Sequence, residues 1–117
     1  LVYPGYSDTF GFVFTDAMSF GIPIVTVDGY ARKDIVKDGK EGFIVKRPEI
    51  KMHGNFPEII GRDKHIQEII RKILILIKNK KLRDNISKNG IETIKNGRFS
   101  IKERNKKLRK IYEEALK

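Results

Sequence analysis

The sequence predicts an α/β fold, a parallel sheet in its N-terminal half followed by C-terminal helices, and three observations carry this prediction. Short β-branched runs punctuated by glycine fill residues 1–45. A helix-length stretch separates the first two runs, which is the connection that parallel strands need. From residue 62 onward the apolar positions recur at helical period instead.

The first run, Leu1-Val2-Tyr3, is of strand length, and Phe10 to Phe20 is long enough for a crossover helix. That helix is expected to end at Gly21, a residue suited to the left-handed cap, with Pro23 preventing its continuation. Ile22-Pro23-Ile24-Val25-Thr26-Val27 is apolar on both faces, as a central parallel strand must be. A short helical turn is expected over residues 31–37, closed by the Asp38-Gly39 turn before a third strand, Gly42-Phe43-Ile44-Val45. Residues 46–61 contain Pro48, Gly54, Pro57 and Gly61 with no sustained period, so they read as a loop or insertion between the sheet region (1–45) and the helices (62–117).

Ile66, Ile69, Ile70, Ile73, Leu74 and Ile77 form one stripe of a helix. Residues 80–95 form a weaker helix on Leu82, Ile86, Ile91 and Ile94, despite Gly90. The last helix opens with a capping box, Ser100 with Glu103 three residues on, and its stripe is Ile101, Leu108, Ile111, Tyr112 and Ala115. Three parallel strands leave both edges of a sheet open. Because the chain begins inside an apolar run, with no room for a signal peptide, it reads as a fragment whose missing part lies upstream.

Composition narrows the function classes. The 117 residues contain no cysteine, which excludes a thiolate nucleophile, a redox dithiol and a zinc ribbon, and suits a reducing cytoplasm. The apolar run near Ile73 is bounded by Arg71, Lys72 and Lys78, far short of the ~20 residues that span a bilayer. His53 and His65 have no partner at metal-ligand spacing, so neither a metal nor a cofactor is expected, and both histidines read as solvated or loop residues. The 18 Ile and 17 Lys are the composition of an AT-rich or thermophilic source.

The net charge of +10 is uneven: residues 1–61 carry −1 and residues 62–117 carry +11. A basic half suits nucleic acid, an anionic membrane surface or merely solvated helix faces. No recognition-helix motif accompanies it, and Phe99 and Tyr112 are too few and too far apart for base stacking, so nucleic acid is not the expected partner. The clusters around Lys80 and Lys106 read as solvated faces.

The chemistry concentrates between Pro4 and Pro23. This stretch places Gly11 at the start of a helix, at the carboxyl end of a parallel strand, where open α/β sheets bind ligands. Free amides at Gly11, Phe12 and Val13 would favour a phosphate, with the helix dipole adding to the attraction. Asp8 and Asp16 flank those amides, and carboxylates accept hydrogen bonds from sugar hydroxyls. A ligand with both groups is a nucleotide sugar. Phe10 lies beside this site, whereas Phe12, Phe14, Met18 and Phe20 read as packing residues.

These residues resemble a family. The stretch is similar to the E-x7-E region of the GT-B retaining glycosyltransferases of the glycogen synthase and sucrose synthase type, P-S-x-x-E-x-F-G-x-x-x-x-E-A-M-A-x-G-x-P-V-V. Asp8 and Asp16 take its acidic positions, Phe10-Gly11 the F-G, Ala17-Met18 the A-M, and Gly21-Ile22-Pro23-Ile24-Val25 the G-x-P-V-V. Val27-Asp28 through Asp34-Ile35-Val36, Asp38-Gly39-Lys40-Glu41-Gly42-Phe43 and the closing helix continue the resemblance over nearly all the chain apart from residues 46–61. It implies a Rossmann-like half of a GT-B domain that binds a nucleotide-diphospho-sugar donor. Asp8 would hold the transferred sugar and Asp16 the donor ribose, while the backbone at Thr9, Phe10, Gly11 and Phe12 would meet sugar and diphosphate.

The resemblance implies no catalytic residue within this chain. The basic residues that stabilise the leaving diphosphate, the base-binding segment and the acceptor domain lie upstream in the family, so the fragment alone is expected to be inactive. Partners implied are the donor, an acceptor that is a sugar, lipid or protein, and the chain's own N-terminal domain, onto which the last helix crosses. Peripheral contact with an anionic inner-membrane face is a further expectation, drawn from the basic helices. Both acidic positions carry Asp in place of Glu, one methylene shorter, and the family's G-G pair is Tyr30-Ala31.

Overall fold

In the computed structural model, which describes residues 1–6 and 10–117, the expected strands pair as a parallel sheet. Its strands β1 (Val2–Tyr3), β2 (Ile24–Val27) and β3 (Gly42–Val45) lie in the order β1-β2-β3. Val25 pairs with Val2 on one side and with Phe43 on the other. All four residues of β2 are buried, which is why its run is apolar at both parities.

Helix α1 (Phe12–Ser19) connects β1 to β2. Phe14, Ala17 and Met18 bury one face of it against Ile24, Ile35 and Val36. Phe12 and Phe20, expected to pack, are instead 74% and 81% exposed. They fall on the opposite side of the helix from the Phe14/Met18 face, and an eight-residue helix has one core face only. The helix stops as expected: Gly21 has φ 66°, its N–H donates to the Met18 carbonyl and the Ile22 N–H to that of Ala17. A Cβ at Gly21 would stand 2.5 Å from Ser87 Oγ and 2.9 Å from Ile91 Cδ1. Gly21→Ala is therefore expected to lower stability by about 2 kcal/mol, combining left-handed strain with overpacking; an unchanged Tm would contradict this.

After β2, helix α2 (Arg32–Ile35) turns the chain back. Asp38 then accepts a 2.8 Å bond from the Ile44 N–H, setting the entry to β3. Residues 46–61, expected as a loop or insertion, instead form an antiparallel hairpin of β4 (Ile50–His53) and β5 (Phe56–Ile59). Gly54, at φ 62°, takes the first central position of its two-residue turn, where positive φ is required. Pro57 pairs with Met52, one step beyond the hydrogen-bonded pair His53/Phe56, so its missing N–H falls where the ladder needs no donor. A hairpin this short has little period to display, and its proline and glycines read as loop signals.

Three helices follow: α3 (Arg62–Lys78), α4 (Lys80–Lys95) and α5 (Ile101–Ala115). Helix α3 covers the second face of the sheet, where Leu76, Ile69 and Ile73 meet Val25, Phe43 and Ile86. The expected stripe is thus split. Its members Ile66, Ile70, Leu74 and Ile77 are exposed, and His65, expected to be solvated, is buried on the sheet-facing side. Asn79 both ends α3 and caps α4, its Oδ1 accepting from the Leu82 N–H at 2.9 Å. Arg83 donates to the carbonyls of Leu76 and Ile77, which α3 leaves open at its end.

Helix α4 packs across α1, and Gly90 lets it approach, since a Cβ there would lie 3.4 Å from the Met18 Cα. Half of the expected capping box forms at α5: Ser100 Oγ accepts from the Glu103 N–H at 3.2 Å, while the Ser100 N–H donates to the Gly97 carbonyl instead. No residue of α5 is buried, and the molecule is flat, 53 × 43 × 16 Å. Ile101, Leu108, Ile111 and Tyr112 present their apolar stripe to solvent.

Candidate functional site

The N-terminus of α1 lies beyond the carboxyl end of β1. Gly11 is its N-cap, in the left-handed region at φ 76° and ψ 66°, and supplies no side chain to the first-turn amides. The Phe14 N–H turns back to the Gly11 carbonyl at 3.0 Å. The amides of Gly11, Phe12 and Val13 have no acceptor among the described residues. Open donors at the positive end of a helix dipole attract an anion. Asp8 and Thr9 lie outside the described residues.

Asp16 stands just over one turn into α1, exposed, with no hydrogen bond or ion pair to its carboxylate among the described residues. It borders a cleft of about 610 Å³ together with Phe10 and Phe12. Three of the expected site residues therefore meet in one place. The opposite wall comes from the segment before α5 and from α5 itself: Arg98, Phe99, Arg104 and Lys107. Phe10 joins the walls, 5.0 Å from the Phe12 ring and 6.4 Å edge-on from the Phe99 ring. Gly11 is not part of this lining and contributes through its backbone.

Arg98 is the member of this wall that is held in place. It donates to Glu41 Oε1 at 2.8 Å and to the Ile35 carbonyl, and its guanidinium lies 5.0 Å from the Phe99 ring. Glu41 itself is fully buried and also accepts from Thr93 Oγ1 at 2.7 Å and from the Lys37 N–H at 2.8 Å. Burial alone would raise its carboxyl, but the bonds from Arg98, Thr93 and Lys37 outweigh it and hold the group below the usual carboxylate range. This network ties the entry of β3 to the end of α4 and so sets the wall that faces Asp16.

Sequence reasoning missed three of these residues. Arg104 and Lys107 read as solvated helix faces, and Arg98 drew no notice. The available signal was Glu41, a carboxylate immediately before the buried first residue of a strand, which asks for a cation. Asp34 is exposed at the end of α2, and Asp28 pairs with Lys33 at 2.6 Å. A second basic residue is deeply buried: Arg32 donates to the Val27 carbonyl at 2.9 Å and stacks 5.5 Å from the Tyr3 ring. His53 is exposed and bonded to Glu58 at 2.8 Å. No helix among the described residues is long and apolar enough to cross a membrane.

A parallel sheet with an uncapped helix start at its carboxyl edge is where open α/β sheets bind ligands, and residues 1–55 match the family described as Glycosyl transferases group 1. Over 116 residues, 99% of its length, the chain is 28% identical to the capsular polysaccharide biosynthesis glycosyltransferase CapM of Staphylococcus aureus. The chain spans about a quarter of that relative, 26% of its length. In fold and in both comparisons the chain is similar to the group 1 glycosyltransferases.

Proposed function

We propose that this chain is the donor-binding portion of a glycosyltransferase, which holds a nucleotide-diphospho-sugar for retaining transfer of its sugar to an acceptor. The observation that carries the reading is the pairing of open amides at the start of α1 with the Asp16 carboxylate in the adjoining cleft, unpartnered among the described residues. The amides and helix dipole suit the diphosphate, and Asp16 suits hydroxyls of the ribose. By the family resemblance Asp8, Thr9 and Phe10 would serve the sugar side, Asp8 and Thr9 lying outside the described residues. Arg104 and Lys107 add positive potential on the facing wall.

Residues that stabilise the leaving diphosphate come from outside this chain, so catalysis belongs to the longer polypeptide. Its N-terminal domain would cover the apolar stripe of α5, which nothing here covers. The relative's name places that protein in capsular polysaccharide biosynthesis. Asp16→Asn in the full enzyme is expected to reduce kcat/KM for the donor by about tenfold or more, as loss of a charge-assisted hydrogen bond does. An undiminished kcat/KM would refute the role of Asp16. Amide NMR with UDP-, GDP- and ADP-sugars, watching Gly11, Phe12 and Asp16, would rank the donors.

A further inference from the structure

A second cleft opens at the carboxyl end of β3, between the base of the β4–β5 hairpin and the first turns of α3. It encloses about 460 Å³ and shares no lining residue with the cleft beside α1. Its walls are cationic: Lys46, Arg47, Lys64, Arg71 and Lys72 face a single carboxylate, Glu68. That carboxylate is already bonded to Arg71 at 2.9 Å and 3.1 Å, and Lys72 lies over the Phe43 ring at 4.6 Å. Lys46, Arg47 and Lys64 have no acidic partner among the described residues.

Two independent features point the same way. Gly61, the N-cap of the 17-residue helix α3, lines the cleft and supplies no side-chain cap, so the first-turn amides end there uncapped. His65 also lines it, is more than nine-tenths buried, and has no hydrogen-bond partner for its Nε2. Its ring is held by Tyr6 at a centroid distance of 5.9 Å. A partnerless imidazole nitrogen, unpaired cations and an uncapped helix start in the walls of one cleft together favour an oxygen-rich anion. A cleft of this size has room for one phosphoryl group with a small attached moiety. Ile44, Pro48 and Ile60 supply apolar wall for that moiety.

We propose that this cleft is a second anion site, which binds the phosphate of a phosphorylated ligand through Lys46, Arg47, Lys64, His65 and the first amides of α3. The ligand is either a free sugar phosphate or a phosphate headgroup presented by a lipid, since both offer the same dianionic group. The test is amide NMR of the full chain titrated with inorganic phosphate, then with glucose 1-phosphate, alongside co-sedimentation with phosphatidylcholine vesicles with and without phosphatidate. Saturable shifts are expected at Gly61, Lys64 and His65, whatever the response at Gly11 and Phe12.

The double substitution Arg47→Gln/Lys64→Gln should weaken binding at least about tenfold, with amide positions elsewhere unmoved. Saturation by glucose 1-phosphate without vesicle binding assigns the free ester, and phosphatidate-dependent co-sedimentation lost in the double variant assigns the headgroup. The proposal is overturned if the double variant binds like wild type, if the shifts fall only at the start of α1, or if both esters fail even where inorganic phosphate binds.

Discussion

Gly42→Ala is expected to unfold the sheet or to cost about 3 kcal/mol or more, a large share of the stability of a small domain. Gly42 opens β3 directly opposite Ile24 of the central strand. A Cβ there would lie 2.1 Å from the Ile24 carbonyl oxygen and 2.8 Å from its carbon. Both are backbone atoms of β2, packed on both faces, so neither can swing aside as a flexible side chain would. Relief requires β2 and β3 to separate, which breaks the ladder that places the carboxyl ends of both strands. Denaturant midpoints would decide it, with Gly39→Ala as the control: Gly39 has nothing within 4 Å and bears only its φ of 76°, worth about 1–2 kcal/mol. If Gly42→Ala matched wild type, the close approach of β3 to Ile24 would be wrong.

The second large effect is expected at Glu41. Glu41→Ala removes the acceptor for Arg98, Thr93 and the Lys37 N–H at once, and leaves a mostly buried guanidinium without its carboxylate. A loss of about 3 kcal/mol is expected from breaking such a pair. Because its folded-state carboxyl sits below the usual range, Glu41 binds a proton more readily in the unfolded chain. Its stabilisation is therefore fully present above the ordinary Glu value of about 4.3 and is lost as pH falls through the lower folded-state value. Wild type should lose stability over that acidic window by more than Glu41→Gln does. Parallel pH profiles for the two proteins would contradict the assignment. Arg98 also borders the cleft beside Asp16, so donor affinity should fall with the same substitution even where the chain remains folded.

Much of the fold was legible because its determinants are local. The all-apolar run of β2, the stop at Gly21-Ile22-Pro23, the Ser100 cap and the period of α4 each rest on residues within about four positions of one another. Of the site, only the grouping of residues was legible. A glycine at a helix start after a parallel strand, with Asp16 inside the helix, points to an anion with hydroxyls, and the structure brings Phe10, Phe12 and Asp16 to one cleft. Asp8 and Thr9 lie outside the described residues.

What failed were the statements about faces and partners. Helix α3 is apolar nearly all round through Ile73 to Ile77, so its period alone left its orientation open, and the sheet selected the side that carries His65, Ile69 and Leu76. The hairpin at 50–59 hid behind Gly54 and Pro57, which signal a loop unless the pairing register is known. Arg98 meets Glu41 across 57 positions of sequence. Asn79, two residues from the end of one stripe, serves two helices because their axes happen to meet there. Near neighbours along the chain specify the three parallel strands, the helices and the stop at Gly21, since each depends on hydrogen bonds and steric limits between residues a few positions apart. Long-range packing selects which helix faces are buried, which charges are paired, and which cations are left to line a cleft. Burial and pairing depend on groups that the chain brings together from dozens of residues away.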